Sequence, residues 1–237
     1  MASYQEYSYF VEARQVQRLV DSETRWLDAG CGHQILELRL ALEEKELVQR
    51  ARLAVGCDAF VSSLSHHRSL QRRVACDLGT LPFVDGSFNL VTLNMVAEHL
   101  ENPDAVVNEL ARVLEPGGVL LIHTPNAACY ETKLVKLGWT IVPRSWAYSL
   151  IRFLEYREPE DVFPTFYKAN TRGRILGLVS KVGMEEKEFT FVEGRPFFFF
   201  FAPASILELL FCRVLRKLMG KEFTAGTIIG VYRKKAG

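Results

Sequence analysis

Arg25-Trp26-Leu27-Asp28-Ala29-Gly30-Cys31-Gly32-His33-Gln34 decides how the rest of this 237-residue chain is read. An apolar run leads into an acid, then into two glycines one residue apart, then into a segment with helical periodicity. Glycine permits positive φ and close backbone approach at such a turn, and the helix that follows offers unpaired N–H groups. A nucleotide-bearing ligand is gripped this way in an α/β sheet. The stretch departs from the dinucleotide fingerprint, because Ile35 stands where a third small residue is wanted and no Lys or Arg lies between Asp28 and Arg39. A pyrophosphate favours nearby positive charge, whereas a cationic or zwitterionic ligand favours the carboxylate of Asp28. A plain Gly turn between strand and helix is the alternative.

Working outward, strands are expected at 25–29, 53–57, 73–76, 88–93 and 119–123, separated by helical segments. The first of these carries Leu36, Leu40, Leu42 and Leu47, and another runs from Pro103 to a stop at Pro116-Gly117-Gly118. Strand–helix alternation implies parallel strands with right-handed crossovers, and ligands then lie beyond the carboxyl ends of the strands. Those ends carry Asp28, Asp58, Asp77, Asn94 and Thr124. One acid alone at a strand end is as readily a turn or capping residue as a ligand. Three in order weigh far more.

Composition sets the limits. Hydrophobic residues make up 49% and charged residues 24%, which is globular, and the net charge of +1 with no basic run interleaved with aromatics predicts no nucleic-acid partner. Cys31, Cys57, Cys76, Cys129 and Cys212 are odd in number and lack a CxxC pair, as suits a reducing cytosol, with the first three as small buried residues. Residues 4–20 predict a helix rather than a signal peptide, and no run reaches the ~18 apolar residues of a spanning helix. The expectation is one domain over 1–237, soluble and cytoplasmic, with peripheral membrane contact and a homodimer left open.

The second half is less regular. Residues 127–170 and 194–224 read as insertions around strands at 188–192 and 227–232, with Thr171 capping a helix that ends at Gly183. In the later insertion Leu207, Leu210, Phe211, Val214, Leu215 and Leu218 form one helical stripe, preceded by five phenylalanines, 197–201. Ordinary core is the leading reading of that stripe. A lipophilic lid or dimer contact, and a basic amphipathic helix on a membrane, are the others.

Taken together, LDAGCG, the acid Asp58, the run CDLGTLPFVDGSFNLV and ELARVLEPGGVLLIHTPN resemble the class I S-adenosylmethionine-dependent methyltransferases, over about residues 24–126 plus the last two strands. The resemblance implies a Rossmann-like, doubly wound, mostly parallel seven-stranded sheet with an antiparallel last strand. It implies that Gly30, Cys31 and Gly32 lie along the methionine part of the cofactor with Asp28 helping to hold it. Asp58 would receive both ribose hydroxyls, since one carboxylate offers two acceptor oxygens to a vicinal diol. Asp77 would accept from the adenine amino group beside a Leu78 backbone contact, and Asn94 and Met95 would close the pocket.

The sulfonium methyl is already activated, so such an enzyme chiefly aligns the acceptor and excludes water, with a base useful for a hydroxyl. Glu98-His99 follows the fourth strand, and His99 is the candidate base; helix capping or packing is its bland reading. His123 reads as a structural strand-end residue and His66-His67 as solvated. The Glu-His pair is similar to that of quinone-biosynthesis O-methyltransferases, some of which carry a metal-linked Glu three residues earlier. Met95 stands there, so no metal is expected. The run 161–171 is similar to bacterial methyltransferases of surface-glycan or glycolipid assembly. The expected reaction is O-methylation of a small-molecule, sugar or lipid-linked acceptor. A catalytically silent adenosylmethionine-fold scaffold and an NAD-dependent oxidoreductase are the rivals.

Overall fold

The computed structural model describes residues 4–134, 164–194, 198 and 201–236, with the side chains of 4–7 left out. Its helices are α1 (Tyr4–Leu19), α2 (Ala41–Arg50), α3 (Val61–Ser65), α4 (Pro103–Val113), α5 (Arg172–Lys181) and α6 (Ala202–Met219). Its strands are β1 (Arg25–Ala29), β2 (Leu53–Asp58), β3 (Arg72–Ala75), β4 (Phe88–Asn94), β5 (Leu114–Pro125), β6 (Met184–Val192) and β7 (Thr227–Lys234). They form a seven-stranded sheet in the order β3-β2-β1-β4-β5-β7-β6. The first five strands are parallel and β7 runs antiparallel to both neighbours, as expected.

Successive strand residues point to opposite faces of a sheet. Leu27, Val91 and Leu120 accordingly join a core with α4 and α5, while Trp26, Leu90 and Leu121 join one with α1 and α2. Both faces are covered by helices, as a mainly parallel sheet requires. The order reverses between β1 and β4, and the crevice at that reversal is where the site is built.

Several expected boundaries shift. The chain does not enter a helix directly after Gly32: residues 31–37 form a loop, Leu38–Leu40 a 3-10 turn, and α2 begins at Ala41. Leu36, Leu40 and Leu47 are buried, but Leu42 is exposed. Helix α4 stops at Val113, and Pro116-Gly117-Gly118 lies inside β5 as an irregularity, since Phe88 pairs with Leu114 and Leu90 with Val119. Thr171 caps α5 through the Arg174 N–H at 3.3 Å, and Asn102 caps α4 through Ala105 at 3.3 Å.

Burial overturns two expectations. His67 is not solvated: it is buried, its Nδ1 accepts the N–H groups of Ser69 and Leu70 at 3.3 and 3.2 Å, and burial pushes its pKa down to about 4. The stripe on α6 is not ordinary core, because Leu207, Leu210, Phe211, Val214 and Leu218 are exposed and Glu208 alone on that helix is buried. Of the insertions at 127–170 and 194–224, residues 135–163, 195–197, 199 and 200 lie outside the described residues.

Candidate active site

The turn after β1 is held by one carbonyl. Cys57 O accepts the N–H groups of Gly30 and Cys31 at 2.8 and 3.1 Å, stitching the loop to β2. Gly30 has φ +73°, and a Cβ there would fall 2.5 Å from Val96 Cγ2, so both conformation and space demand glycine. Gly32, at φ +53°, donates its N–H to Asp58 Oδ2 at 2.9 Å, and Phe60 donates to Oδ1 at 2.9 Å. A carboxylate has about four acceptor positions. Two are used on the backbone, and the remainder suit a diol. The Cys31 thiol is buried, and burial raises its pKa, so it packs rather than reacts.

The other expected residues fall around this loop. Asp28 is buried and accepts the Thr92 hydroxyl, which in turn accepts the Trp26 indole N–H at 2.8 Å. Burial holds the Asp28 pKa well above the usual range, partly offset by Thr92. Asp77 is exposed and closes a turn through the Gly79 N–H at 2.6 Å, with half-buried Leu78 beside it. The capping role weighed for a lone acid is therefore present at Asp77, alongside a carboxylate open to solvent. Asn94 Nδ2 donates to Ile35 O at 3.0 Å, tying the end of β4 to the glycine loop. Met95 has φ +54°, unusual outside glycine, and its N–H reaches His123 O at 2.8 Å.

A buried ion pair that the sequence reading passed over shapes the loop. Glu44 Oε2 accepts the N–H groups of Ile35 and Leu36 at 3.1 and 2.8 Å, and Arg68 grips the same carboxylate. Arg68 also donates to Gln34 Oε1 at 3.1 Å and Leu36 O at 2.7 Å. The signal was present: Glu44 lies four residues after Leu40 and three before Leu47, on the buried stripe of α2.

The expected acid–base pair sits just past β4. His99 Nδ1 lies 2.8 Å from Pro164 O, and since a carbonyl only accepts, Nδ1 carries the proton and Nε2 is the basic nitrogen. That Nε2 is 3.8 Å from Glu98 Oε1. Glu98 is buried, accepts the Thr124 hydroxyl at 2.8 Å, and has its pKa raised by burial. Its main-chain carbonyl accepts the N–H groups of Phe166 and Tyr167 at 2.7 and 3.1 Å. Asn170 donates to Thr124 Oγ1 at 2.6 Å, extending the network.

His123 is buried at the end of β5, as a structural role requires, with Nδ1 donating to Asn94 Oδ1 at 2.9 Å. Glu12 of α1 was not foreseen there; its buried carboxylate lies 3.4 Å from the same Nδ1, and burial raises its pKa. Glu12 belongs to the buried stripe with Ala13 and Val16, which is the signal missed. Among the described residues no three His, Cys, Asp or Glu side chains converge as a metal site.

A glycine turn closed to a Cβ at Gly30, an acid with spare acceptor capacity at the end of β2 and an open acid beyond β3 suit a ligand with a ribose and an adenine, on a fold of the S-adenosylmethionine-dependent methyltransferase type. Residues 1–162 match the family model described as Methyltransferase domain, and the chain belongs to that family. S-adenosylmethionine is accordingly its cofactor, and the NAD-dependent alternative falls. A probable S-adenosylmethionine-dependent methyltransferase of Mycolicibacterium smegmatis is 35% identical over 108 residues, 44% of this chain and 39% of that protein. A demethylmenaquinone methyltransferase of Mycobacterium bovis is 32% identical over 124 residues, 50% of this chain and 53% of that one. The chain thus spans about half the length, or less, of the curated relatives it matches. An S-adenosylmethionine-dependent methyltransferase structure from Mesorhizobium loti superposes with a TM-score of 0.58 at 15% identity, covering 96% of this chain and 98% of that one, which shows the shared fold.

Proposed function

We propose that this chain O-methylates a small-molecule, sugar or lipid-linked acceptor, with His99 as the base. The observation that carries the reading is the 2.8 Å contact of His99 Nδ1 with the Pro164 carbonyl, which assigns the Nδ1 position as a donor and makes Nε2 the nitrogen that would take a proton from a hydroxyl. Buried Glu98, held by Thr124, lies beside that nitrogen and stabilises the imidazolium formed when the proton arrives.

S-adenosylmethionine supplies a methyl group already activated by its sulfonium. Gly30, Cys31 and Gly32 would line its methionine part, Asp58 its ribose, and Asp77 and Leu78 its adenine. Asn94 and Met95 would close the pocket and help exclude water. Asp28, which accepts the Thr92 hydroxyl, would help hold the methionine part. The demethylmenaquinone methyltransferase relative makes a quinone one acceptor to include, and the resemblance around 161–171 adds glycans and glycolipids.

The test is turnover of labelled S-adenosylmethionine against hydroxylated lipids, quinones and glycans. With the accepted substrate, His99→Ala is expected to lower kcat by 10²–10⁴-fold, the usual range for a general base, while cofactor affinity stays within twofold. Unchanged kcat across the pH range in His99→Ala would remove the base assignment.

A further inference from the structure

Helix α6 faces the wrong way for a helix that belongs to a core. Its one acid, Glu208, is 7% exposed and turned inward, where it accepts the Phe198 N–H at 2.9 Å and the Tyr130 hydroxyl. Leu207, Leu210, Phe211, Val214 and Leu218 stand outward, between 53% and 78% exposed. At about 100° per residue these five fall within a sector of about 100°, one unbroken apolar strip along the helix. Phe201, at the helix start, and Ile206 are exposed as well.

The exposed charge on this helix has a single sign. Arg213, Arg216 and Lys217 are exposed, and Lys221 follows just beyond the C-terminus. Arg216 is paired to Glu193 at 2.8 Å. Arg213 and Lys217, one helical turn apart, run along one edge of the apolar strip. A second copy packed antiparallel on the strip would bring these two cationic edges together, with no exposed acid on either helix to offset them. An anionic lipid surface offers both halves of what this face lacks: an apolar boundary for the strip and negative headgroups for its basic edge.

We propose that α6 docks this protein on anionic bilayers, lying in the interface with Leu207, Leu210, Phe211, Val214 and Leu218 toward the acyl chains and Arg213, Lys217 and Lys221 among the headgroups. No described helix is long and apolar enough to span a membrane, so the contact is peripheral. The inference stands apart from the acceptor chemistry above, since it rests on none of the residues near His99.

The test is co-sedimentation of the full chain with vesicles of equal parts phosphatidylglycerol and phosphatidylcholine, against phosphatidylcholine alone, at 50 mM and 500 mM salt. Binding is expected on the anionic vesicles at low salt and should fall at least tenfold on neutral vesicles or at high salt. Leu210→Glu should abolish it. Arg213→Gln with Lys217→Gln, which leaves the strip intact, should weaken it about tenfold without changing Tm or S-adenosylmethionine affinity. No binding to anionic vesicles overturns the proposal, as does equal binding by the Gln pair. So does a Tm drop of several degrees in Leu210→Glu, which would mean the strip packs against its own chain. A dimer that Leu210→Glu dissolves, with no vesicle binding, would assign the strip to a second copy.

Discussion

Asp58 Oδ2 and the Gly32 N–H are 2.9 Å apart, so the acid at the end of β2 holds the glycine turn at the end of β1. One carboxylate thereby both positions the loop and keeps acceptor positions for a ligand. Asp58→Ala should lose both roles. Removing a charged acceptor costs roughly 1.5–3 kcal/mol, so S-adenosylmethionine affinity should fall by about 10- to 150-fold in calorimetry. Asp58→Asn, which can still accept the Gly32 N–H, should bind better than Asp58→Ala; equal affinity in the two would detach the loop-holding role.

Gly30 presents two separable constraints. A Cβ would strike Val96, and φ +73° is itself costly for an L residue. Gly30→Ala should therefore lower stability by about 1–3 kcal/mol and weaken cofactor binding. Adding Val96→Ala relieves the collision but not the backbone strain, so the double variant should recover only part of the loss. Full recovery in denaturant unfolding would show that the backbone term is negligible.

The pair Glu44–Arg68 predicts an asymmetry. Arg68→Ala leaves a buried carboxylate without its cation, which typically costs about 3–5 kcal/mol. Glu44→Gln keeps a carbonyl oxygen for the Ile35 and Leu36 N–H groups and should cost less. Thermal unfolding of the two variants checks the order.

A buried histidine and a half-buried carboxylate give opposite pH dependences. His67 has its folded pKa depressed to about 4, below the ordinary 6.5, so the unfolded chain binds more protons between those values and stability falls as pH drops from 6.5 toward 4. Glu131 is pushed up from 4.5 to about 7, chiefly by burial, so the folded chain holds the extra proton and stability falls as pH rises from 4.5 through 7. Unfolding free energies at pH 4.5, 5.5, 6.5 and 7.5 should show Glu131→Gln gaining on the wild type as pH rises, and His67→Asn gaining as it falls. Parallel curves would contradict both assignments.

Met95 stands where an oxygen ligand would be needed, so turnover is expected to survive EDTA. Activity lost on chelation and restored by magnesium would show the opposite.

The strand ends were readable because Asp28, Asp58, Asp77, Asn94 and Thr124 each lie within two positions of the end of a parallel strand, and strand–helix alternation implies the parallel arrangement. What was missed shares one cause. Glu12, Glu44 and Glu208 are acids placed where a helix faces the protein, and His67 is a polar side chain turned inward. Composition reads such residues as solvated, whereas a buried polar group is retained when specific backbone groups need it. Glu44 and Glu12 could have been found by their spacing on apolar stripes. Glu208 could not, because its stripe points outward and inverts the rule that the apolar side of a helix faces its own domain. Nor does spacing report that Asp77 spends one oxygen on a turn, or that Pro164, sixty-five positions away, fixes the His99 tautomer.

Ala127 donates its N–H to Asn170 O at 2.8 Å, so the two ends of the 127–170 insertion meet beside the end of β5. Glu98 grips the returning end through its carbonyl and, by its carboxylate, the Thr124 hydroxyl on which Asn170 also rests. A stretch of chain that closes on itself can be lengthened, shortened or exchanged at small cost in loop entropy while the frame beneath keeps its register. Variation in length is therefore expected between Ala127 and Asn170 and not in the strands beneath, whose register no such change disturbs.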